Sequence, residues 1–180
     1  MNIMKKTQIL MTAVVVLWFG IGTANAAAGF SGFVPDADDP NYYSGAFSNP
    51  SISGLVGSHF TDHIAIGFPD FGTAYTGDAN VLVGMRSGIY TITLDQFDLY
   101  DLTLSSTVAS GITGSGISDF TFTTIANHSY ELIIGGVKDK SGASYAGNFS
   151  VSAVPEPETY AMLLAGLGLI GFSARRRKSV

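Results

Sequence analysis

Histidine side chains are the residues of this chain best suited to bind a transition metal or to transfer a proton. His59 and His63 lie four positions apart, a spacing that brings two imidazoles onto one metal when both lie on a helix. The alternating apolar residues around them predict a strand, where residues four apart are separated by about 13 Å at about 3.3 Å per residue. We therefore expect two separate histidines on a strand or loop, and we expect His128 to lie in a turn.

Two groups of aspartates could offer oxygen ligands to Ca²⁺, which prefers about six to eight of them. The first group is Asp36, Asp38 and Asp39, and the second is Asp95, Asp98 and Asp101. The first lacks the glycine and the distal glutamate of an EF-hand loop. The second recurs at every third residue, so its members cannot share one face of a strand. We expect an acidic turn in each place, with weak Ca²⁺ binding as the alternative and no other cofactor.

Hydrolytic chemistry has little support in the sequence. The Gly-x-Ser-x-Gly nucleophile elbow is absent, and the absence of cysteine excludes thiol catalysis and disulfides. Before the C-terminal tail Glu131 is the only glutamate. Its place beside Tyr130 in an alternating segment predicts a solvent-facing strand position rather than one carboxylate of a glycosidase pair. We therefore expect that the protein is not an enzyme.

Aromatic side chains in or near the loops are the feature best suited to binding a ligand, because flat rings can stack on sugars. These residues are Tyr42, Tyr43, Phe47, Phe71 and Tyr75. An exposed planar row of rings would favour a carbohydrate-binding module. The alternative is loops that pack down on the domain core and bury the rings.

Alternating apolar and polar residues predict an all-β domain that would position these side chains. The pattern is clear at 60–68, 81–85, 90–94, 120–123, 130–134 and 145–151, and turn-forming residues separate the segments. Roughly seven to nine short strands at this spacing predict a single antiparallel β-sandwich or jelly roll. We place it at 56–153, after a segment at 27–55 that we expect to be poorly ordered or to form an edge.

The N-terminal region predicts export. Two lysines precede an apolar stretch at 9–22, and Ala24 and Ala26 occupy the small-x-small positions of a signal peptidase site. We predict a signal peptide at 1–26 that forms a signal helix and is removed by signal peptidase after use of the general secretory machinery. The alternative is an N-terminal membrane anchor.

The segment between the two ends is strongly acidic. Residues 27–154 contain three Lys or Arg and twelve Asp or Glu, so their net charge is −9. A surface of this charge repels phosphate backbones, and we therefore exclude nucleic acid as a partner.

The C-terminal segment at 154–178 has three consecutive parts. They are the hinge Pro155, Glu156 and Pro157, the apolar run at 159–174, and the basic stop Arg175, Arg176, Arg177 and Lys178. A helix over the run would be about 24 Å long at about 1.5 Å per residue, which is short for a hydrocarbon core of about 30 Å. We predict a short transmembrane helix that holds the chain transiently in the inner membrane, with the basic stop on the cytoplasmic side.

This order of residues resembles a PEP-CTERM sorting signal over about 26 positions. In that family, which belongs to Gram-negative bacteria that make exopolysaccharide, the membrane protease exosortase recognises the Pro-Glu-Pro tripeptide and removes the tail during export. The resemblance implies that Pro155, Glu156 and Pro157 are substrate residues. The alternative is an ordinary C-terminal anchor.

A second resemblance covers the middle domain. Phe60 and Asp62 before an apolar strand, together with Gly135 and Gly136, are similar to the FxDxF family of PEP-CTERM proteins, although Ile64 stands where the motif carries its second Phe. The family name implies no known activity.

These observations together predict an exported cell-surface or extracellular-matrix protein, non-enzymatic and associated with the exopolysaccharide of a biofilm. The alternative is a carbohydrate-binding module that recognises a particular glycan. A hydrolase is the third possibility, and it would need a cleft with two carboxylates or a Ser–His pair.

Overall fold

A computed structural model of the protein describes residues 27–155 and 157–177. The predicted signal peptide with Ala24 and Ala26 lies outside the described residues, as do Glu156 and Lys178. The elements are β1 (Gly29–Pro35), β2 (Tyr42–Asn49), β3 (His59–Ile66), β4 (Tyr75–Val83), β5 (Met85–Arg86), β6 (Ile89–Tyr90), β7 (Ile92–Asp101), β8 (Ser106–Ser110), β9 (Ile117–Thr123), β10 (Tyr130–Lys138), β11 (Tyr145–Ala153) and α1 (Pro157–Arg177).

The strands form two antiparallel sheets and a small ribbon. The five-stranded sheet has the order β1-β2-β11-β4-β9, the four-stranded sheet has the order β3-β10-β7-β8, and β5 pairs with β6. Strands that are distant in the sequence are neighbours in space, since β2 and β4 both pair with β11. The prediction of a mostly β, antiparallel fold is confirmed.

One apolar core lies between the two sheets. Phe47 and Phe149 of the five-stranded sheet are buried, as are Phe97 and Leu132 of the four-stranded sheet. Direct ring contacts cross the interface, because Phe97 lies 6.2 Å from Phe47 and 4.7 Å from Phe120 between centroids. Aromatic pairs at these distances add about 0.5–1.5 kcal/mol each to the free energy of area burial. The core therefore ties the sheets into a two-layer domain.

The segment at 27–55 contributes two strands. β1 is an edge strand, but β2 lies inside the sheet and pairs with both β1 and β11. Alternate β2 positions Gly45, Phe47 and Asn49 are buried, and the serine and alanine residues between them are exposed. The small side chains make this alternation hard to recognise in the sequence. Because β1 and β2 pair into the five-stranded sheet, the two-layer domain begins near Gly29 rather than at residue 56.

Helix α1 follows the last strand and includes the predicted helical run at 159–174. Among residues 27–155 and 157–177, no helix combines the length and the apolar character needed to cross a bilayer. The uncharged apolar run at 159–174 is short, and any longer segment of the helix includes Glu158 or the arginines at the helix end. The prediction of a transmembrane helix at 159–174 is therefore not supported by α1.

Candidate functional site

The predicted processing tripeptide begins immediately after the last hydrogen bond of the sheet. Ala153 is the final β11 residue and lies opposite Tyr75 of β4. The N–H of Val154 donates to the carbonyl oxygen of Ala74 at 2.9 Å. Pro155 is then exposed, and α1 begins at Pro157. The described part of the tripeptide thus lies outside the folded sheet, within reach of another protein.

The predicted basic stop lies at the end of α1, whose backbone extends to Arg177. Arg175, Arg176 and Arg177 therefore continue the helix that carries the apolar run.

Phe60 and Asp62 form a polar and aromatic link between the two sheets. The ring of Phe60 stacks on Tyr145 with centroids 6.3 Å apart and an interplanar angle of 17°. Asp62 Oδ2 accepts a hydrogen bond from the Tyr145 hydroxyl at 2.7 Å and another from Asn49 Nδ2 at 2.9 Å. Asp62 lies on β3 of the four-stranded sheet, whereas Asn49 and Tyr145 lie on β2 and β11. Phe60 and Asp62 therefore have a structural role, and Ile64 is an ordinary core residue.

The two side chains that donate hydrogen bonds to Asp62 are shielded from water. Asn49 and Tyr145 are both buried. Burial, and then the hydrogen bond to Asp62, raises the pKa of the Tyr145 hydroxyl. The hydroxyl therefore remains a neutral donor to the carboxylate.

We expect Tyr145→Phe to lower the free energy of unfolding by about 1–3 kcal/mol, because it leaves a carboxylate without one of its buried donors. Urea unfolding of the purified domain measures this change. Tyr42→Phe is the matched control, since Tyr42 is partly exposed and surface changes usually stay within about 0.5 kcal/mol. Equal midpoints for the two variants would show that the link between the sheets contributes nothing.

The histidines of β3 are separate, as predicted, and each pairs with its own carboxylate. His59 Nε2 lies 2.7 Å from Asp95 Oδ2, and His63 Nδ1 lies 3.3 Å from Glu131 Oε1. The His59–Asp95 pair reaches across β10 beside Gly135, where an added Cβ would lie 3.2 Å from Asp95 Oδ1. These contacts lie on the outer face of the four-stranded sheet. Among the described residues, neither histidine pair has a third side chain placed with it to bind a metal ion.

His128 lies in the loop between β9 and β10, where it contacts a buried carboxylate. Its Nδ1 lies 2.6 Å from Oδ2 of Asp101, whose side chain is almost fully buried. Asp101 Oδ1 accepts hydrogen bonds from the N–H groups of Thr103 and Leu104. Burial alone would raise the pKa of Asp101, but the hydrogen bonds from His128, Leu104 and Thr103 together outweigh it and lower that pKa.

The aspartates proposed as Ca²⁺ ligands do not converge. Asp36 Oδ1 accepts hydrogen bonds from the N–H groups of Asp38 and Asp39, so this carboxylate stabilises its own turn. Within the described ranges no group of three His, Cys, Asp or Glu side chains is placed to hold a metal ion.

The second aspartate group corrects a sequence prediction. Asp95, Asp98 and Asp101 all belong to β7 rather than to a turn. A bulge opposite Gly135 and Gly136 shifts the strand register between Leu94 and Gln96. The carboxylates of the group have different partners, namely His59, Gln96 and His128.

A cavity of about 410 Å³ opens at the end of the sandwich from which the C-terminal tail leaves. Its wall includes Phe71 and Thr73 from the β3–β4 loop, Ile125 and His128 from the β9–β10 loop, and Leu102 after β7. No sequence motif indicates it, because three loops that are distant in the chain build it.

The predicted loop aromatics do not form an exposed row. Phe47 and Tyr75 are 2% exposed and belong to the core, whereas Phe71 is 58% exposed and Tyr42 is 37% exposed. Tyr43 packs edge-on against Tyr75, with centroids 6.2 Å apart. Most of this set therefore stabilises the domain.

Comparison with known families gives a match at the C-terminus. Residues 153–178 match the family model of the PEP-CTERM protein-sorting motif. The matched region starts at the last residue of β11 and contains the whole of α1. The chain therefore carries a PEP-CTERM sorting motif. No curated protein matches the chain.

Proposed function

We propose that this chain is exported through the general secretory machinery and processed at the inner membrane by an exosortase, and that it ends as a cell-surface or extracellular-matrix protein. The match of residues 153–178 to the PEP-CTERM sorting motif carries this proposal. Exosortase is the processing partner that such a motif implies. Signal peptidase would remove residues 1–26 during export.

The position of the motif suits removal of a tail from a folded domain. All eleven strands of the described residues end by Ala153, and the buried core lies within the same part of the chain. Cleavage at any bond beyond Val154 would leave β11 paired with β2 on one side and with β4 on the other. The two-layer domain would therefore survive processing unchanged.

For the domain itself we propose a non-enzymatic structural or adhesive role in the exopolysaccharide layer of a biofilm. In support, each histidine pairs with a carboxylate rather than with a serine or threonine hydroxyl among the described residues. The scattered aromatics favour this role over a carbohydrate-binding module, which would need an exposed row of rings.

We expect the protein released by a host with an exosortase to begin at Ala27 and to lack residues 159–178. Signal peptidase would set the first end and exosortase the second. Intact-mass measurement of the released protein tests both ends at once. The same host without its exosortase should retain the C-terminal tail, and recovery of untrimmed chain from the cytosol would contradict the proposal.

A further inference from the structure

Four large apolar side chains project from the end of the domain that leads to the sorting motif. Phe71, Leu102, Leu104 and Ile125 are 58%, 47%, 57% and 52% exposed. Backbone hydrogen bonds connect their loops, since Asn127 N–H donates to the Phe71 carbonyl at 2.7 Å and Leu102 N–H to the Ser129 carbonyl at 2.9 Å. The four side chains therefore belong to one surface, which we call the tail-end patch.

The chain path keeps the tail-end patch close to the sorting helix. The hydrogen bond between Val154 and Ala74 holds the chain, where it leaves the domain, against the loop that carries Phe71. Only Pro155 and Glu156 separate Val154 from the start of α1 at Pro157. An extended chain covers at most about 3.6 Å per residue, so this linker spans about 10 Å. Any membrane that holds α1 therefore lies next to this end of the domain.

We propose that the tail-end patch rests on the lipid surface of the membrane while the sorting tail is still attached. This proposal rests on the proposed function, because it requires the tail to be held at a membrane. Phe, Leu and Ile are side chains that insert into the boundary between headgroups and acyl chains. Contact with lipid would cover the apolar surface that the isolated domain exposes, and loss of the tail would uncover it.

The charge of the same end favours zwitterionic lipid. The β1–β2 loop there carries Asp36, Asp38 and Asp39, and Asp70 lies beside Phe71. Anionic headgroups would repel these carboxylates. The patch thus reaches a lipid surface through apolar contact rather than through charge attraction.

The opposite end of the domain provides an internal control. Leu55 is 82% exposed and Ile112 is 74% exposed, so this end is also apolar. A nine-residue strand such as β11 is about 30 Å long at about 3.3 Å per residue. A side chain at this end cannot touch the membrane that the tail-end patch touches.

The test uses residues 27–180 with phosphatidylcholine vesicles whose acyl chains carry bromine. This chain keeps every described strand and lacks Trp18, the only tryptophan of the sequence. Phe71→Trp and Leu55→Trp then each place a single fluorophore at one end. We expect at least about twofold stronger quenching of the probe at position 71, because only an inserted side chain approaches the bromines. Ile125→Trp is a second probe of the patch, and because it is also exposed the fold should tolerate it.

Sedimentation of the vesicles separates the possible failures. If residues 27–180 remain in the supernatant, retention of the tail fails and the proposal falls with it. If the chain sediments but the probes at 71 and 125 are quenched no more than the probe at 55, lipid contact is wrong while tail retention stands. Quenching at 71 that needs an added membrane protein would show that the patch binds protein instead of lipid.

Discussion

Replacing Pro155, Glu156 and Pro157 together with alanine is expected to leave the full-length protein in the inner-membrane fraction of a host with an exosortase. The tripeptide follows the last strand, and its last residue, Pro157, begins α1, so the substitution removes no described sheet contact. The folded domain should therefore be unchanged while recognition is lost. We expect release to fall at least about tenfold, which corresponds to about 1.4 kcal/mol of lost recognition. Fractionation followed by immunoblotting against the domain measures the released and retained forms.

Two adjacent glutamates provide a sharper form of this experiment. Glu156 belongs to the tripeptide and Glu158 does not. Glu156→Gln should reduce release, whereas Glu158→Gln, the same chemical change two positions later, should leave it unchanged. If both variants, or the triple alanine variant, release a shortened product at the rate of the original chain, the tripeptide is not the recognised element.

The β character of the domain could be predicted because apolar residues alternate strongly in its longer strands. In β9 Phe120 and Phe122 are buried, and Asp119, Thr121 and Thr123 beside them are exposed. β2 lacks this contrast because glycine, alanine and serine occupy many of its positions. Pairing with β11 fixes β2 in the sheet, and that contact is nonlocal.

The polar contacts of the domain could not be predicted, because they join residues that are distant in the chain. Asp62 accepts its hydrogen bonds from Asn49 and Tyr145, which are 13 and 83 positions away. The bulge of β7 depends on pairing with Gly135 and Gly136 of β10. By contrast the sorting motif is contiguous, so its residues could be identified without any knowledge of the fold.

The second large effect is expected at Asp101, which joins the β7–β8 loop to the β9–β10 loop at the tail end of the domain. Its carboxylate accepts from Thr103 and Leu104 and contacts His128. Asp101→Ala would remove the buried carboxylate that these groups share. We expect the free energy of unfolding to fall by at least about 3 kcal/mol, because a hydrogen bond to a charged group contributes about 1.5–3 kcal/mol and Asp101 accepts more than one. Urea unfolding at neutral pH measures it.

The charge of Asp101 adds a dependence on pH whose sign follows from its lowered pKa. An aspartate has a pKa of about 3.9 in an unfolded chain, so the folded state holds this proton less tightly than the unfolded state. The resulting stabilisation is complete above that value and is lost as the pH falls through the folded pKa. The original chain should therefore lose unfolding free energy as the pH falls below about 4.

Asp101→Asn separates the charge from the hydrogen bonds. The amide oxygen can still accept from Thr103 and Leu104, so we expect a loss of only about 1–3 kcal/mol at neutral pH. Because asparagine does not titrate, this variant should also lose less stability between neutral and acidic pH than the original chain does. If the two chains show the same change in unfolding free energy over that range, the ionised Asp101 is not what stabilises the loops at the tail end.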